Sequence, residues 1–174
     1  KATFFELAKN VVAMPSLVKR VKAEGHALAN HSYSHAQLTK LGASGLKKEI
    51  DDSTVVETKY FGFKPTLFRC PYGACGGNGS TIRKKIAAQG MVHVFWNVDS
   101  LDWQDKNAKS VYNRIKKQMS VQKRGIILCH DIHPQTVEAT KMLMDDFVKG
   151  QKDGSLRLVT IPQAIKELNS GGMQ

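Results

Sequence analysis

Short apolar runs alternate along the chain with stretches whose apolar residues recur at helical spacing. This alternation is typical of βα units built around a parallel sheet. We therefore predict an α/β fold. The runs expected to form strands are Ala2 to Phe5, Ala27 to Asn30, Thr66 to Arg69, Val92 to Val98, Ile126 to Cys129 and Leu156 to Thr160.

The sequence also indicates where helices begin and end. Pro15 opens one helix and Gly25 closes it, because proline suits the first helical turn and glycine the position after the last one. Ser80 is expected to cap a second helix that stops at Gly90. Apolar stripes predict which side chains face the core. They are Ala108, Val111, Ile115 and Met119 in a third helix, and Val137, Met144 and Phe147 in a fourth that follows Pro134.

Length and composition favour one domain over residues 1–174. The chain has 174 residues, 41% of them apolar, which is enough for a substantial core. A complete eight-fold (β/α) barrel takes about 250 residues, so we expect a shortened barrel. Because Lys1 leads straight into the first apolar run, we also expect that an upstream segment is missing. No apolar stretch approaches the roughly 20 residues that a transmembrane helix needs.

The formal net charge of +11 and the isoelectric point near 9.7 indicate an anionic partner or surface. Nucleic acid has to be considered first. The basic residues, however, lie in helical patterns without the interleaved aromatic side chains of single-strand binding sites. We therefore predict solvated helix faces and no nucleic-acid partner, and weak attraction to acidic cell-wall polymers also fits the charge. The clusters are Lys47 with Lys48, Arg83 to Lys85, and Lys116 with Lys117.

Three cysteines leave at least one unpaired within the chain. Cys70 and Cys75 are near enough in sequence to close a small loop, but only their geometry decides whether they do. Cys129 lies in an apolar run and is expected to be a small core residue. The cysteines alone do not assign a compartment.

The residues that follow the predicted strands are the candidates for chemistry, because the active site of a parallel barrel lies at the carboxyl ends of its strands. HSYSH follows Asn30, RCPYG follows Phe68, DSLDW begins after Val98, and HDIH follows Cys129. Successive strand ends therefore carry metal-ligating groups, titratable groups or a rigid turn.

HSYSH places His31 and His35 four residues apart. If the segment forms a helical turn, this spacing lets both imidazoles converge on one ion. Histidines at this spacing are as often structural as metal-binding, and a catalytic zinc also needs a third protein ligand. The motif alone therefore leaves both interpretations open.

RCPYG joins an arginine at a strand end to a turn fixed by proline. Arg69 could hold a carboxylate by a bidentate contact, and the turn could direct the backbone N–H of Tyr72 toward an oxyanion. On its own, however, the motif is more typical of a surface arginine before an ordinary turn.

DSLDW and HDIH supply carboxylates and a histidine. Asp99 and Asp102 lie beside Trp103, a sequence that also fits a polar turn with a half-buried tryptophan. His130 could be a core histidine bonded to backbone. With Asp102 as its partner it becomes a candidate general acid, because an adjacent carboxylate fixes the imidazole tautomer.

Taken together and in this order, these motifs resemble the polysaccharide deacetylase family, the fourth carbohydrate esterase family, over nearly all of the chain. The resemblance implies a distorted, incomplete (β/α) barrel. It implies that His31 and His35 bind zinc or another divalent transition metal, such as cobalt or nickel. It also implies that Arg69 orients the catalytic base and that the Tyr72 N–H stabilises the oxyanion.

The same resemblance assigns the later motifs. His130 would be the general acid and Asp102 the carboxylate that tunes it. The residues that would form the substrate pocket around the acetyl group are Tyr72, Trp103 and Leu128.

The chain departs from the family pattern at the first motif, a strand that ends in two adjacent aspartates. In the family, this strand lies upstream of the segment that resembles Ala2 to Phe5, and its aspartates serve as catalytic base and third metal ligand. Asp51 and Asp52 are adjacent but lie in a helical pattern, so we interpret them as solvent-facing. The motif is expected in the missing upstream segment, which leaves the barrel without its N-terminal strand here.

The predicted function is metal-dependent hydrolysis of the N-acetyl groups of N-acetylglucosamine in a polysaccharide, with peptidoglycan first and acetate as a product. Chitin oligosaccharides and acetylxylan are alternative substrates. A catalytically incomplete carbohydrate-binding relative is the alternative from another class, although such a protein would not require His130, Asp102 and Arg69. The resemblance implies a secreted, periplasmic or cell-wall location. The oligomeric state is not fixed by the sequence.

Overall fold

The computed structural model describes residues 1–122 and 124–170. They form two compact units, one made of Lys1–Phe95 with the segment from Val159 onward, and the other of Trp96–Leu158. The single domain over residues 1–174 stays a prediction. Within the described ranges, no helix combines the length and the apolar character that crossing a membrane requires.

Helices connect the strands, as the alternating pattern predicts. Lys47–Asp52 is a π-helical segment that runs directly into the next α-helix. The Ser80 hydroxyl accepts a bond from the Arg83 N–H, and Gly90 follows the same helix with φ of 75°, which confirms both predicted ends. The helices are α1 (Ala8–Ala13), α2 (Pro15–Ala23), α3 (Ala43–Leu46), α4 (Ser53–Phe61), α5 (Thr81–Ala88), α6 (Ala108–Val121), α7 (Pro134–Asp153) and α8 (Ile161–Asn169).

The first unit is built on a four-stranded sheet in the order β1-β2-β3-β4. All pairings are parallel, so the carboxyl ends of its strands meet at one edge. Asn30, the last residue of β2, lies opposite Phe68 of β3. The strands are β1 (Thr3–Glu6), β2 (Ala27–Asn30), β3 (Leu67–Phe68) and β4 (Val92–His93).

The second unit contains a parallel pair, β5 (Val98–Asp99) and β6 (Ile127–Leu128). The single strand predicted over Val92 to Val98 is wrong, because the start of this run pairs with β3 and its end pairs with β6. The strand predicted over Leu156 to Thr160 is also wrong. No strand forms over these residues, and the Leu156 N–H instead bonds to the Gly150 carbonyl near the end of α7 at 3.0 Å.

Helices α6 and α7 pack on each other around one apolar cluster of the second unit. The stripe predicted for α6 faces this cluster. On α7 only Phe147 of the predicted inward residues packs there, whereas Val137 and Met144 are each 45% exposed. Thr136 is buried instead, because its hydroxyl donates a hydrogen bond to Asp102. A polar inward residue cannot be recognised from an apolar pattern.

A glutamate is buried in the first unit. Glu57 of α4 is 0% exposed, and neither of its carboxyl oxygens has a hydrogen-bond partner among the described residues. Burial, with a smaller contribution from the nearby Glu6, raises the pKa of Glu57 to about 10. The carboxyl is therefore protonated in the folded protein at neutral pH.

We predict that Glu57→Gln stabilises the protein at neutral and alkaline pH. The folded carboxyl titrates near 10 and the unfolded one near its ordinary 4.5. Its contribution to the free energy of unfolding is therefore complete below pH 4.5 and is lost progressively as the pH rises, by at most about 1.4 kcal/mol per pH unit. Urea denaturation at pH 5 and pH 8 should show the variant gaining up to about 4 kcal/mol over the wild type across this interval.

The control is Glu24→Gln at the end of α2, an exposed carboxylate that pairs with Arg20. Its effect on the free energy of unfolding should be small and nearly the same at both pH values. Parallel pH dependence in the wild type and Glu57→Gln would contradict the prediction.

Candidate active site

The side chains of His31 and His35 lie together in the loop that leaves β2. Their ring centroids are 4.9 Å apart, with the planes at 75°. The loop is not the helical turn considered from the spacing, because Ser32 and His35 have φ of 77° and 70°. The imidazoles are therefore brought together by a loop that contains left-handed residues.

The backbone of the next motif orients the first of these rings. Nδ1 of His31 is 2.7 Å from the carbonyl oxygen of Arg69. A carbonyl only accepts, so Nδ1 carries the proton and Nε2 keeps the lone pair that a metal requires. The His35 ring lies against the ring of Tyr72, with centroids 4.7 Å apart. Both rings are thus positioned by contacts with residues of the RCPYG motif, and not only by their separation of four residues in sequence.

Arg69 is a buried cation and not the surface arginine of the alternative interpretation. It is 7% exposed, and its guanidinium lies over the Phe5 ring, 4.0 Å from the centroid. Burial lowers the pKa of Arg69 to about 10, so it remains charged at neutral pH. A cation with little access to water at a strand end is well suited to hold a carboxylate.

Tyr72 lies in a tight turn that follows β3. Its φ of 59° is left-handed, and 68% of the residue is exposed. The N–H groups of Gly73 and Ala74 donate to the carbonyls of Cys70 and Pro71, both at 3.0 Å. These bonds stabilise the turn and do not use the Tyr72 N–H. The role of the Tyr72 N–H as a donor to the oxyanion stays a prediction.

A disulfide joins Cys70 to Cys75 across this turn, which answers the question that the sequence left open. A ring nitrogen of His93 lies within 4.8 Å of both sulfurs. The sulfurs are bonded to each other, so they are not available as thiolate ligands. Cys129 is exposed, so its expected place in the core is wrong.

In the second unit, Asp102 and His130 form a hydrogen-bonded pair. Asp102 is 0% exposed. Its carboxylate accepts bonds from the His130 N–H at 2.7 Å, from His130 Nδ1 at 2.7 Å and from the Thr136 hydroxyl at 2.6 Å. Nδ1 is therefore the protonated nitrogen, and Nε2 is the one that can exchange a proton with a ligand. This histidine is bonded to a carboxylate, unlike the core histidine that was the alternative.

The ionised state of Asp102 is stabilised in spite of its burial. Burial by itself would raise the pKa of this carboxyl. The hydrogen bonds from His130 and Thr136 outweigh burial and lower the pKa of Asp102 to about 2. The pair therefore keeps a carboxylate behind the imidazole throughout the neutral range.

The other predicted residues of this unit lie near the pair in sequence. Trp103 is 57% exposed, and Leu128 is 7% exposed at the end of β6, opposite Asp99. Asp99 itself accepts bonds from the Trp96 indole and the Leu101 N–H, both at 3.0 Å, so it has a structural role. The assignment of Trp103 and Leu128 to an acetyl pocket stays a prediction.

Backbone strain marks the same motifs independently. Among the described residues, all non-glycine positions with positive φ belong to HSYSH, RCPYG or DSLDW. Such conformations cost about 1–3 kcal/mol each, and they concentrate at functional sites. The positions are Ser32, His35, Tyr72 and Leu101.

The predicted residues form two groups, one in each unit. The first unit holds the histidine pair, Arg69 and Tyr72, and the second holds Asp102, Trp103, Leu128 and His130. The union of both groups in one site stays a prediction.

Buried polar side chains that the sequence did not single out support both groups. They are Asn30, Glu49 and Thr136. Of these, only Asn30 carried a signal, as a polar residue closing an apolar run directly before a histidine.

We predict that Asp102→Asn destabilises the protein in a manner that depends on pH. The folded pKa is about 2 and the unfolded value is 3.8, so the carboxylate stabilises the fold above pH 3.8 and loses this effect as the pH falls toward 2. The shift corresponds to about 2 kcal/mol. Chemical denaturation should show that the free energy of unfolding of the variant is about 2 kcal/mol below that of the wild type at pH 7. The difference should be much smaller near pH 2.

The exposed neighbour Asp131 provides the control. Asp131→Asn should change the free energy of unfolding by less than about 0.5 kcal/mol at both pH values. A deficit in Asp102→Asn that is the same at pH 7 and pH 2 would rule out the ionised pair as its cause.

Comparison with known proteins shows which family the chain is similar to. Residues 1–94 match the family model described as polysaccharide deacetylase. The peptidoglycan-N-acetylmuramic acid deacetylase PdaC of Bacillus subtilis is 35% identical over 93% of this chain and 32% of its own length. The peptidoglycan-N-acetylglucosamine deacetylase PgdA of Listeria monocytogenes is 34% identical over 100% of this chain and 35% of its own. The chain thus spans about a third of the length of these relatives.

The structural comparison agrees. The solved structure of peptidoglycan deacetylase PdaC from Bacillus subtilis matches with a TM-score of 0.77 and 32% sequence identity, over 97% of this chain and 77% of that one. This confirms the predicted α/β fold of the polysaccharide deacetylase type.

Proposed function

The chain belongs to the polysaccharide deacetylase family, and from this we propose that it hydrolyses the N-acetyl groups of N-acetylglucosamine units in a polysaccharide, releasing acetate. The observation that carries the proposal is the matched orientation of two histidines. Nδ1 of His31 bonds to a carbonyl and Nδ1 of His130 bonds to a carboxylate. Nε2 is therefore the nitrogen that would contact a metal in the first ring and exchange a proton in the second.

We assign His31 and His35 as two ligands of a divalent transition metal, because imidazole suits zinc, cobalt and nickel. Zinc is our first choice. When bound, such an ion lowers the pKa of its water and polarises the acetamide carbonyl. The proposal assigns the third ligand and the general base to the family's paired aspartates, outside residues 1–174.

Asp51 and Asp52 do not fill these roles. Asp51 accepts a bond from Gln89 at 2.8 Å and pairs with Lys85 of α5, so it is less solvent-facing than expected. Asp52 pairs with Lys47. Both carboxylates serve contacts between or within helices.

The remaining residues act on the base, the oxyanion and the leaving group. The buried guanidinium of Arg69 orients the catalytic carboxylate. The Tyr72 N–H stabilises the tetrahedral oxyanion, a contribution worth about 3–4 kcal/mol in comparable sites. His130, fixed by Asp102, protonates the departing amine. Trp103, Leu128 and Tyr72 enclose the acetyl group.

Peptidoglycan is the proposed polymer, with chitin oligosaccharides and acetylxylan as alternatives. The relatives PdaC and PgdA are peptidoglycan deacetylases by name, and a chain of net charge +11 is attracted to an acidic wall polymer. We also propose that the protein acts outside the cytoplasm or at the cell wall. The Cys70–Cys75 disulfide supports this, because disulfides persist in oxidising compartments.

The charge also allowed a nucleic-acid-binding alternative, but the basic clusters are partly neutralised. One lysine of each cluster pairs with an aspartate, which reduces the positive potential available to a phosphate backbone. The pairs are Lys47 with Asp52, Lys85 with Asp51, and Lys116 with Asp146.

We predict that His130→Ala lowers turnover by on the order of 100-fold or more while the metal content is unchanged, because the proton donor is lost and the metal ligands are not. Acetate release from N-acetylated polymer and elemental analysis measure the two quantities. His133→Ala is the matched control, since that ring lies 6.1 Å from the ring of His130 and should leave turnover largely intact. Unchanged turnover in His130→Ala would remove the general-acid assignment.

We also predict that a chelator abolishes acetate release and that added zinc restores it. The panel comprises peptidoglycan, chitin oligomers and acetylxylan, and the preferred polymer should release acetate fastest. Binding to these polymers without any acetate release would favour the alternative of a catalytically incomplete carbohydrate-binding relative.

A further inference from the structure

The loop that carries the histidine pair rests on a buried carboxylate. Glu49 is 3% exposed and belongs to the π-helical segment Lys47–Asp52. Its Oε2 accepts bonds from the N–H groups of Tyr33 and Ser34, at 3.1 and 2.9 Å, and its Oε1 accepts from the Ser34 hydroxyl at 2.6 Å. Both carboxylate oxygens thus accept hydrogen bonds from residues that lie between His31 and His35.

Asn30 anchors the start of the same loop. Its side-chain oxygen accepts a bond from the Ser32 N–H at 2.7 Å, and its amide donates to the hydroxyls of Ser53 and Thr54, at 3.0 and 3.3 Å. The N–H groups of three consecutive loop residues, Ser32, Tyr33 and Ser34, therefore bond to side chains. The loop conformation is imposed by the helix beneath it.

The supporting side chains lie where the π-helical segment Lys47–Asp52 runs into α4. A wider turn brings Glu49, Ser53 and Thr54 to one face, and turns of this kind occur frequently at functional sites. The Ser53 hydroxyl also donates to the Glu49 carbonyl at 2.8 Å, and the Thr54 hydroxyl donates to the Ile50 carbonyl at 2.6 Å. The two hydroxyls thus give the Glu49 and Ile50 carbonyls hydrogen-bond donors within the irregular helix.

We propose that Glu49 is a positioning residue, which holds the HSYSH loop in its left-handed conformation so that His31 and His35 bind the metal at full affinity. The inference rests on the proposed function of these histidines as metal ligands. Its basis is geometric. Charge-assisted hydrogen bonds are stronger than neutral ones, and here they act on the segment that joins the two ligands.

The test measures the zinc dissociation constant of the full polypeptide by competition with a chromophoric chelator. Glu49→Ala removes every acceptor and should weaken zinc binding by about 10- to 100-fold, as loss of groups that orient metal ligands does. Glu49→Gln should weaken zinc binding by a smaller factor. Its amide oxygen still accepts from the loop N–H groups, whereas its NH₂ cannot accept from the Ser34 hydroxyl.

Glu57→Gln is the matched control, because Glu57 is also a buried glutamate of the same continuous helical stretch and bonds to no loop residue. Its substitution should change stability and leave zinc affinity within about threefold of the wild type, well below the change expected when a supporting group is lost. Amide hydrogen exchange over residues 31–35 gives a second readout. It should accelerate in Glu49→Ala and remain unchanged in Glu57→Gln.

The outcomes separate this inference from the proposed function. Wild-type zinc affinity and wild-type loop exchange in Glu49→Ala would overturn the positioning role and leave the metal site standing. A wild-type protein that does not bind zinc, or a His31→Ala variant that binds it normally, would overturn the metal assignment and the inference with it. If Glu49→Ala does not fold, Glu49→Gln preserves the side-chain volume and decides by the same two measurements.

Discussion

The buried amide of Asn30 joins the sheet, the histidine loop and the helix beneath the loop. The register sets Asn30 opposite Phe68, and the Arg69 N–H donates to the Asn30 carbonyl at 2.9 Å. The Arg69 carbonyl then accepts from the His31 ring. The position of a predicted metal ligand is thus fixed by strand pairing. A slip of one residue would turn every side chain of the strand to the opposite face.

The two principal histidines are oriented by different acceptors, and the difference suits their roles. His31 donates to a neutral carbonyl, which fixes the tautomer that its proposed role as a metal ligand requires. His130 donates to a buried carboxylate, which can stabilise the positive charge of a protonated ring. The same geometry at Nδ1 therefore supports coordination in one unit and proton transfer in the other.

The sequence was most informative where local chemistry decides the structure. The cap at Ser80, the stop at Gly90 and the polar residues after each strand were all predicted from a few neighbouring residues. The left-handed conformations of the histidine loop were not, because they depend on Glu49, which lies on a separate element and reads as an ordinary helix residue. The register of β2 and β3 likewise depends on contacts distant in sequence.

The errors have the same origin. The run from Val92 to Val98 is mostly apolar, and only the positions of β3 and β6 determine that it divides between two sheets. The run from Leu156 has a strand composition, but it forms no strand and its first N–H bonds to the Gly150 carbonyl of α7. Thr136 turns inward because of Asp102, a partner remote in sequence. In each case a nonlocal contact overrides a local preference.

The contact between His31 and position 69 involves only the backbone of that position. The guanidinium lies instead over Phe5, so the side chain and the carbonyl of Arg69 make different contacts. If Arg69 orients the catalytic base as proposed, exchange of this arginine would remove that contact and leave the carbonyl that accepts from the His31 ring in place. Under that proposal, a substitution at position 69 would impair turnover without removing either proposed metal ligand, so metal content alone would not report activity.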